Sequence, residues 1–326
     1  MAMLLSLVVS AGLVICWSSG FIGTRLASGV ELPATTIFFW RFLLAAGICL
    51  LLLVGRTCLF GQRARLSLGG AGRELAAGSL SVGGYLLGVV FAIELGVSAG
   101  ITSLITALQP LLAALVMSMM LGERIALLGW LGSLLAALGV VISVTGDMSG
   151  AGHAPVWAYA LPILSAISLT AGSMLSTYRP AQLGLIERLM RQLLAAAVIF
   201  GIASVSQTGH LPGLPRTGPG VWQAILFLVV LSSFGGYGFF IASLRLQGVT
   251  ATSVMFYLTP PCTMLWAALQ LGERISTAGW LGGATVAIGV MLSLRVLWQS
   301  AAPSESRRAV PKASGRTGSG REQAGQ

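Results

Sequence analysis

Charge is what this chain has least of. Of its 326 residues only 9% are Asp, Glu, Lys or Arg, while 56% are hydrophobic. An ordinary soluble domain carries about 25% charged residues, so this chain cannot coat a folded surface in water, and a soluble fold is excluded. General disorder is excluded too, because disordered segments are polar and charged. The four cysteines, Cys16, Cys49, Cys58 and Cys262, form no C-x-x-C pair, and His153 and His210 stand far apart. Neither a zinc site, a haem attachment nor a disulfide framework fits that pattern, and no metal or cofactor is expected. There is no G-x-x-x-x-G-K-[ST] segment for ATP and no Ser/His/Asp set, which argues against a primary pump and a membrane hydrolase.

Long apolar runs fill the space that charge leaves. A helix needs about 20 mostly apolar residues to cross a bilayer. Such runs lie near 3–25, 34–54, 75–95, 98–120, 126–146, 155–177, 184–204, 220–243, 250–271 and 277–297. Barrel strands alternate apolar and polar residues, and Leu50-Leu51-Leu52-Leu53-Val54 does not. The expectation is an all-α integral membrane protein of ten transmembrane helices. The first run lacks a positive n-region and is too long for a signal-peptide core, so it reads as a retained helix. Residues 298–326, rich in Ser, Gly and Arg, read as a disordered basic tail.

The net charge of +10 has a positional cause. With the N-terminus in the cytoplasm, Arg56, Arg63, Arg65, Arg73, Arg124, Arg179 and Arg245 fall inside, as do the tail's arginines and Lys312. Only Arg25, Arg216 and Arg274 fall outside. This is the positive-inside bias. It places both termini in the cytoplasm, and it accounts for the basic charge without nucleic acid; the partners expected are a small solute and the lipid bilayer.

The chain also repeats itself. Moved 150 positions, Leu121-Gly122-Glu123-Arg124-Ile125 falls on Leu271-Gly272-Glu273-Arg274-Ile275 and Gly129-Trp130-Leu131-Gly132 on Gly279-Trp280-Leu281-Gly282. Pro110 falls on Pro260, Arg41 on Arg191 and Gly139 on Gly289. Two five-helix repeats follow, residues 1–147 and 148–297. Because five is odd, the second enters the membrane from the opposite side, and the two are inverted. Inverted repeats are characteristic of secondary transporters, with substrate held near the midplane between them. A scaffold or receptor has no need of the inverted copy, and an enzyme needs a polar catalytic cluster that this sequence does not display.

These blocks carry a family resemblance. The paired L-G-E-R-I and G-W-L-G segments resemble the EamA domains of the drug/metabolite transporter superfamily. So do Trp17-Ser18-Ser19-Gly20-Phe21, and Pro33-Ala34 followed by Arg41-Phe42. The resemblance covers roughly residues 5–297 and implies a ten-helix carrier of metabolites in a cell inner or plasma membrane. Amino-acid exporters belong to that family, and sugar or nucleotide-sugar carriers are more distant kin.

Several residues stand out for their chemistry. Arg41 and Arg191 lie about two turns into their helices, where a charge must be paired or hydrated. Each could hold a substrate carboxylate, or snorkel to the interface or bond backbone carbonyls. Trp17, Ser18, Ser19, Tyr85, Thr106, Gln109, Ser168, Tyr237 and Tyr257 are candidates for an aromatic, hydroxyl-bearing cavity, each with helix packing or an interfacial belt as its alternative. Pro110 and Pro260 fall inside helical runs and are expected to kink them, and to act as gates. Glu123 and Glu273 precede the fifth and tenth helices and are expected to cap them. Glu187 and Arg188 are expected at the solvated edge, and Asp147 in a loop. No carboxylate sits at the centre of a span, so facilitated or exchange transport is expected rather than a carboxylate proton relay.

Overall fold

The computed structural model describes residues 2–60, 70–120, 127–149, 154–177, 183–215 and 219–301. Glu123, Arg63, Arg65, Arg124, Arg179, Arg216 and the tail beyond 301 lie outside these residues. All regular structure among them is helical. In chain order the helices are α1 (Ala2–Ala27), α2 (Ala34–Phe60), α3 (Ala71–Gly78), α4 (Tyr85–Glu94), α5 (Ala99–Thr106), α6 (Gln109–Met120), α7 (Leu127–Ser149), α8 (Ala160–Thr177), α9 (Leu185–Thr208), α10 (Pro219–Phe227), α11 (Gly236–Phe256), α12 (Thr259–Leu271) and α13 (Thr277–Ala301), with α11 interrupted by a kink at Gly248, where φ is 80°. Two π-helical turns, Ser79–Gly84 and Leu228–Gly235, join α3 to α4 and α10 to α11. A short 3₁₀ turn, Val156–Tyr159, leads into α8.

Every expected apolar run is helical, but not every run is one helix. Among the described residues, seven helical stretches are long and apolar enough to cross a membrane, and Ala99–Ala113 and Thr277–Leu292 are shorter apolar ones. The run expected at 98–120 is broken between α5 and α6 at Ala107-Leu108, where Leu108 N–H donates to the i−3 carbonyl of Ile105. The run at 250–271 breaks at the equivalent Tyr257-Leu258, where Leu258 N–H donates to Met255 in the same way. Pro110 and Pro260 therefore do not kink continuous helices. Each is the second residue of the helix that follows its break, where a missing N–H costs nothing because the first turn has no intrahelical acceptor for it.

Packing follows the repeat. α1 packs on the second π turn and α11, and α8 packs on the first π turn and α4. α1 meets α12, as α8 meets α6. α2 pairs with its own counterpart α9, and α7 with α13. Each contact thus has a partner under exchange of the two halves. α2 and α9 meet through rings: Phe38 stacks on Phe200 at 5.1 Å between centroids, and Phe42 lies 5.5 Å from Phe200. These rings belong to a core cluster completed by Ile37, Leu193, Ile225 and Leu228. Leucines such as Leu51, Leu134 and Leu269 lie on the outer surface, as lipid-facing positions should, since hydrocarbon solvates them as well as a core does.

α7 and α13 come together backbone to backbone. A Cβ on Gly139 would stand 2.6 Å from the Val286 nitrogen and 2.7 Å from the Gly282 carbonyl oxygen, and Cβ atoms on Gly282 and Gly289 would collide with Gly139 and Ala136 backbone. Such close approach maximises dispersion contact, the main source of helix association in lipid. Replacing Gly139 by Val is expected to destabilise the protein by about 1–3 kcal/mol, the usual cost of overpacking. Gly47→Ala, whose Cβ meets nothing within 4 Å, should leave the melting temperature unchanged or raise it. Thermal unfolding of the two variants in detergent measures the difference.

Candidate functional site

The residues that line the main cavity come from both halves. It has a volume of about 620 Å³ and is walled by α1, α2, the first π turn, α4, α5 and α6 from the first half, and by α8, α9, the second π turn, α11 and α12 from the second. Neither α7 nor α13 reaches it. The tight pair is therefore a frame, and the cavity lies in the rest of the bundle.

Among the described residues, Arg41 is the one charged side chain on its wall. It is buried, with 3% of its surface exposed. Helix α2 places Phe38 one turn before it and Phe42 beside it, with their ring centroids 5.0 and 4.9 Å from the guanidinium carbon. Nε donates to Ser233 Oγ at 3.2 Å and Nη2 donates to Ser232 Oγ at 2.8 Å. Nη1 is buried with no hydrogen-bond acceptor. Among the described residues the ion pairs are Arg25–Glu273, Arg188–Glu74 and Arg191–Glu187, and none of them involves Arg41. Two aromatic faces and two hydroxyls compensate part of the desolvation cost of a cation; none supplies a countercharge.

Trp17, Tyr85, Thr106, Gln109, Pro110 and Tyr237 also line this cavity. The remaining candidates lie elsewhere. Ser18 donates to the Thr259 carbonyl at 3.3 Å and Ser19 to the Cys16 carbonyl at 2.7 Å. Ser168 donates to Leu80 O, a carbonyl of the first π turn, at 2.8 Å. Tyr257 and Pro260 line a second cavity of about 190 Å³ between α12 and α13.

Arg191, the repeat partner of Arg41, is engaged by a carboxylate: its Nη2 lies 2.6 Å from Glu187 Oε1, one turn earlier. Glu187 is buried with it rather than solvated, and Arg188 reaches inward to Glu74 at 3.5 Å. Asp147 is not in a loop. It lies in the last turn of α7, buried, accepting from Tyr159 Oη at 2.8 Å and from the Ser98 N–H at 3.3 Å.

Glu273 also differs from expectation. It does not cap α13; Ser276 Oγ does, accepting from Gly279 N–H at 3.0 Å. Glu273 accepts instead from the N–H of Ala99, at the start of α5 in the other half, and lies 3.5 Å from Arg25. The turn at Gly272, with φ of 66°, aims it there. Burial pushes its carboxyl above the usual carboxylate range, against the Ala99 N–H and Arg25, which pull it down.

The residues that sequence reasoning missed cluster on the π turns. Ser81, Ser232 and Ser233 line the cavity, and Phe240 and Phe256 join Trp17 in an aromatic group, with Trp17 and Phe256 edge to face at 4.6 Å. A signal for them exists. Ser81-Val82-Gly83-Gly84-Tyr85 and Ser233-Phe234-Gly235-Gly236-Tyr237 are the same S-x-G-G-Y motif, 152 positions apart, two out of step with the main repeat. The glycines admit close neighbours: a Cβ on Gly83 would stand 2.5 Å from Ile199 and one on Gly235 2.9 Å from Cys16 Sγ. π turns inside α-helices recur at functional sites because they disturb the backbone bonding pattern. Gln192 was missed too. It lines the cavity and donates to Glu74 at 3.1 Å, so this fully buried carboxylate stands behind the wall.

A many-helix membrane protein whose two halves jointly wall a polar-lined cavity has the build of a solute transporter. The chain belongs to the EamA-like transporter family, whose match covers residues 4–145 and again 156–295. It is thus a membrane transporter and not an enzyme. No curated protein matches it significantly. A solved structure titled only as the crystal structure of a protein is similar at 16% identity, with a TM-score of 0.59 over 90% of this chain and 98% of that one; at that identity the likeness is one of fold.

The two arginines give a paired prediction. Glu187→Gln removes the carboxylate from Arg191 and should lower stability by up to roughly 3 kcal/mol, the scale for breaking a buried ion pair. Arg41→Gln strands no carboxylate and should melt close to the parent protein while losing solute binding. Thermal unfolding and ligand titration on both variants separate a structural arginine from a binding one.

Proposed function

We propose that this protein is a secondary transporter that moves small organic metabolites across a cell inner or plasma membrane by alternating access. Export is the proposed direction, and amino acids and similar carboxylate-bearing solutes are the proposed solute class. The observation that carries the reading is the cavity of about 620 Å³ with Arg41 on its wall and both halves around it. A site shared between two similar halves can open to either side as the halves exchange conformations.

The architecture proposed is ten spans in two inverted repeats, 1–147 and 148–297, with both termini and the tail in the cytoplasm. The exchange-related packing of the helices supports the repeat, and the arginine bias supports the orientation. On that topology the Arg25–Glu273 pair and the bond from Ala34 N–H to Glu94, at 3.0 Å, close the outer side. Ser176 and Gln192 line the cavity toward the cytoplasmic ends of α8 and α9. The breaks at Ala107-Leu108 and Tyr257-Leu258 are the proposed hinges, since a helix broken at the cavity wall can bend without losing further backbone bonds. Among the described residues no Asp or Glu lines the cavity, which favours exchange or facilitated transport over proton coupling.

Counterflow in proteoliposomes with labelled amino acids tests the reading. Accumulation is expected without a pH gradient, and Arg41→Gln should reduce it at least about tenfold, the loss of one charge-assisted interaction. Accumulation that demands the gradient contradicts exchange and directs attention to Glu74. Reporter fusions at either terminus should read cytoplasmic; an external C-terminus contradicts the inverted arrangement.

A further inference from the structure

Resting on the transporter reading, the charge balance of the cavity narrows its substrate class. Arg41 brings one positive charge to the wall, and no carboxylate shares that wall. Elsewhere in the bundle Arg191 meets Glu187, Arg188 meets Glu74, and Arg25 meets Glu273. Glu74, which stands behind Gln192 and Ser176, is held by Arg188, Gln192 and Ser176 and does not line the cavity. Among the described residues the cavity wall therefore carries a net charge of plus one, and Arg41 Nη1 is buried without an acceptor.

We infer that the solute is an organic monoanion, a carboxylate on an apolar or aromatic body, and that zwitterionic amino acids are second-rank ligands. A carboxylate facing Arg41 supplies the missing countercharge and can accept from the guanidinium. Its body has an apolar seat at Trp17, Phe240 and Phe256, whose rings lie 4.6–6.3 Å apart between centroids. A zwitterion brings the same carboxylate with an ammonium attached. That ammonium must leave water, finds hydroxyls and ring faces but no carboxylate, and shares a low-dielectric space with Arg41. Ring faces alone attract a cation only weakly. A plain amine meets the repulsion with no carboxylate to offset it.

Three probes with one phenyl body isolate the charge: 3-phenylpropanoate (minus one), L-phenylalanine (zwitterion) and 2-phenylethylamine (plus one). Calorimetric titration into the purified full-length protein at pH 7 should give 3-phenylpropanoate an affinity about tenfold or more above L-phenylalanine, as expected when one buried charge is left unpaired, with 2-phenylethylamine weakest. Arg41→Gln should abolish that preference. Arg41→Lys, which keeps the charge and loses the fork, should retain part of it, and it serves if the Gln variant fails to fold. Equal or tighter binding of L-phenylalanine overturns the inference. So does absence of 3-phenylpropanoate binding, or binding that Arg41→Gln leaves intact. Counterflow keeps the two readings apart. Carriage of labelled L-phenylalanine by Arg41→Gln at the parent rate sinks the monoanion assignment and leaves the transporter standing. Arg41-dependent binding of 3-phenylpropanoate, with no labelled solute ever crossing, supports the assignment and sinks the transporter.

Discussion

A guanidinium inside an apolar bundle must be held by its surroundings, and much of this structure is arranged around holding one. Arg41 stands between Phe38 and Phe42 on its own helix and reaches Ser232 and Ser233 across the bundle. Those serines are presented by a π-helical turn, and the turn packs on α1 through Gly235, where Cys16 Sγ would crowd any larger residue. The position of the charge thus depends on three elements from two halves of the chain. Because its hydrogen bonds are to neutral hydroxyls, the cation is solvated in part and meets no countercharge among the described residues.

The frame that makes this tolerable is set elsewhere. α7 and α13 close on each other through Gly139, Gly282 and Gly289 and contribute nothing to the cavity wall. Separation of the two tasks has a physical basis. A glycine-lined pair is stabilised by close backbone contact and tolerates little change in geometry, whereas the cavity wall is built with breaks and irregular turns. Two π turns and two breaks next to Pro110 and Pro260 fall on the cavity side. Unpaired backbone groups at membrane depth are permissible only against protein or a wet cavity, and here one carbonyl of the first π turn is met by Ser168.

The fold was legible from the sequence wherever a long pattern carried it. Apolar runs marked where the described chain is helical, and the 150-residue repeat foretold that the family match would fall twice along the chain. Local breaks were less visible, since a proline inside an apolar run reads the same whether it kinks a helix or begins a new one. The π turns were hidden by a two-residue slip between the S-x-G-G-Y motifs. Side-chain partners were hardest of all. Depth in the helix marked Arg41 as informative but could not tell it from Arg191, and Glu273 reads as a cap for the helix that follows it because no local pattern reveals that α5 of the other half is closer.

The contrast between those two arginines is the most instructive consequence of the repeat. They occupy the same position in the two halves, and α2 and α9 pack directly together. One step of sequence separates their fates. Arg191 has Glu187 one turn before it, and the pair is closed at 2.6 Å; the residue one turn before Arg41 is Ile37. A single carboxylate, present in one half and missing in the other, turns one arginine into an internal tie and leaves the other with its charge unanswered. The two halves share a packing pattern but not a charge pattern. If Glu187 were matched by a carboxylate at position 37, the wall would be neutral and would offer a carboxylate no more than a row of hydroxyls.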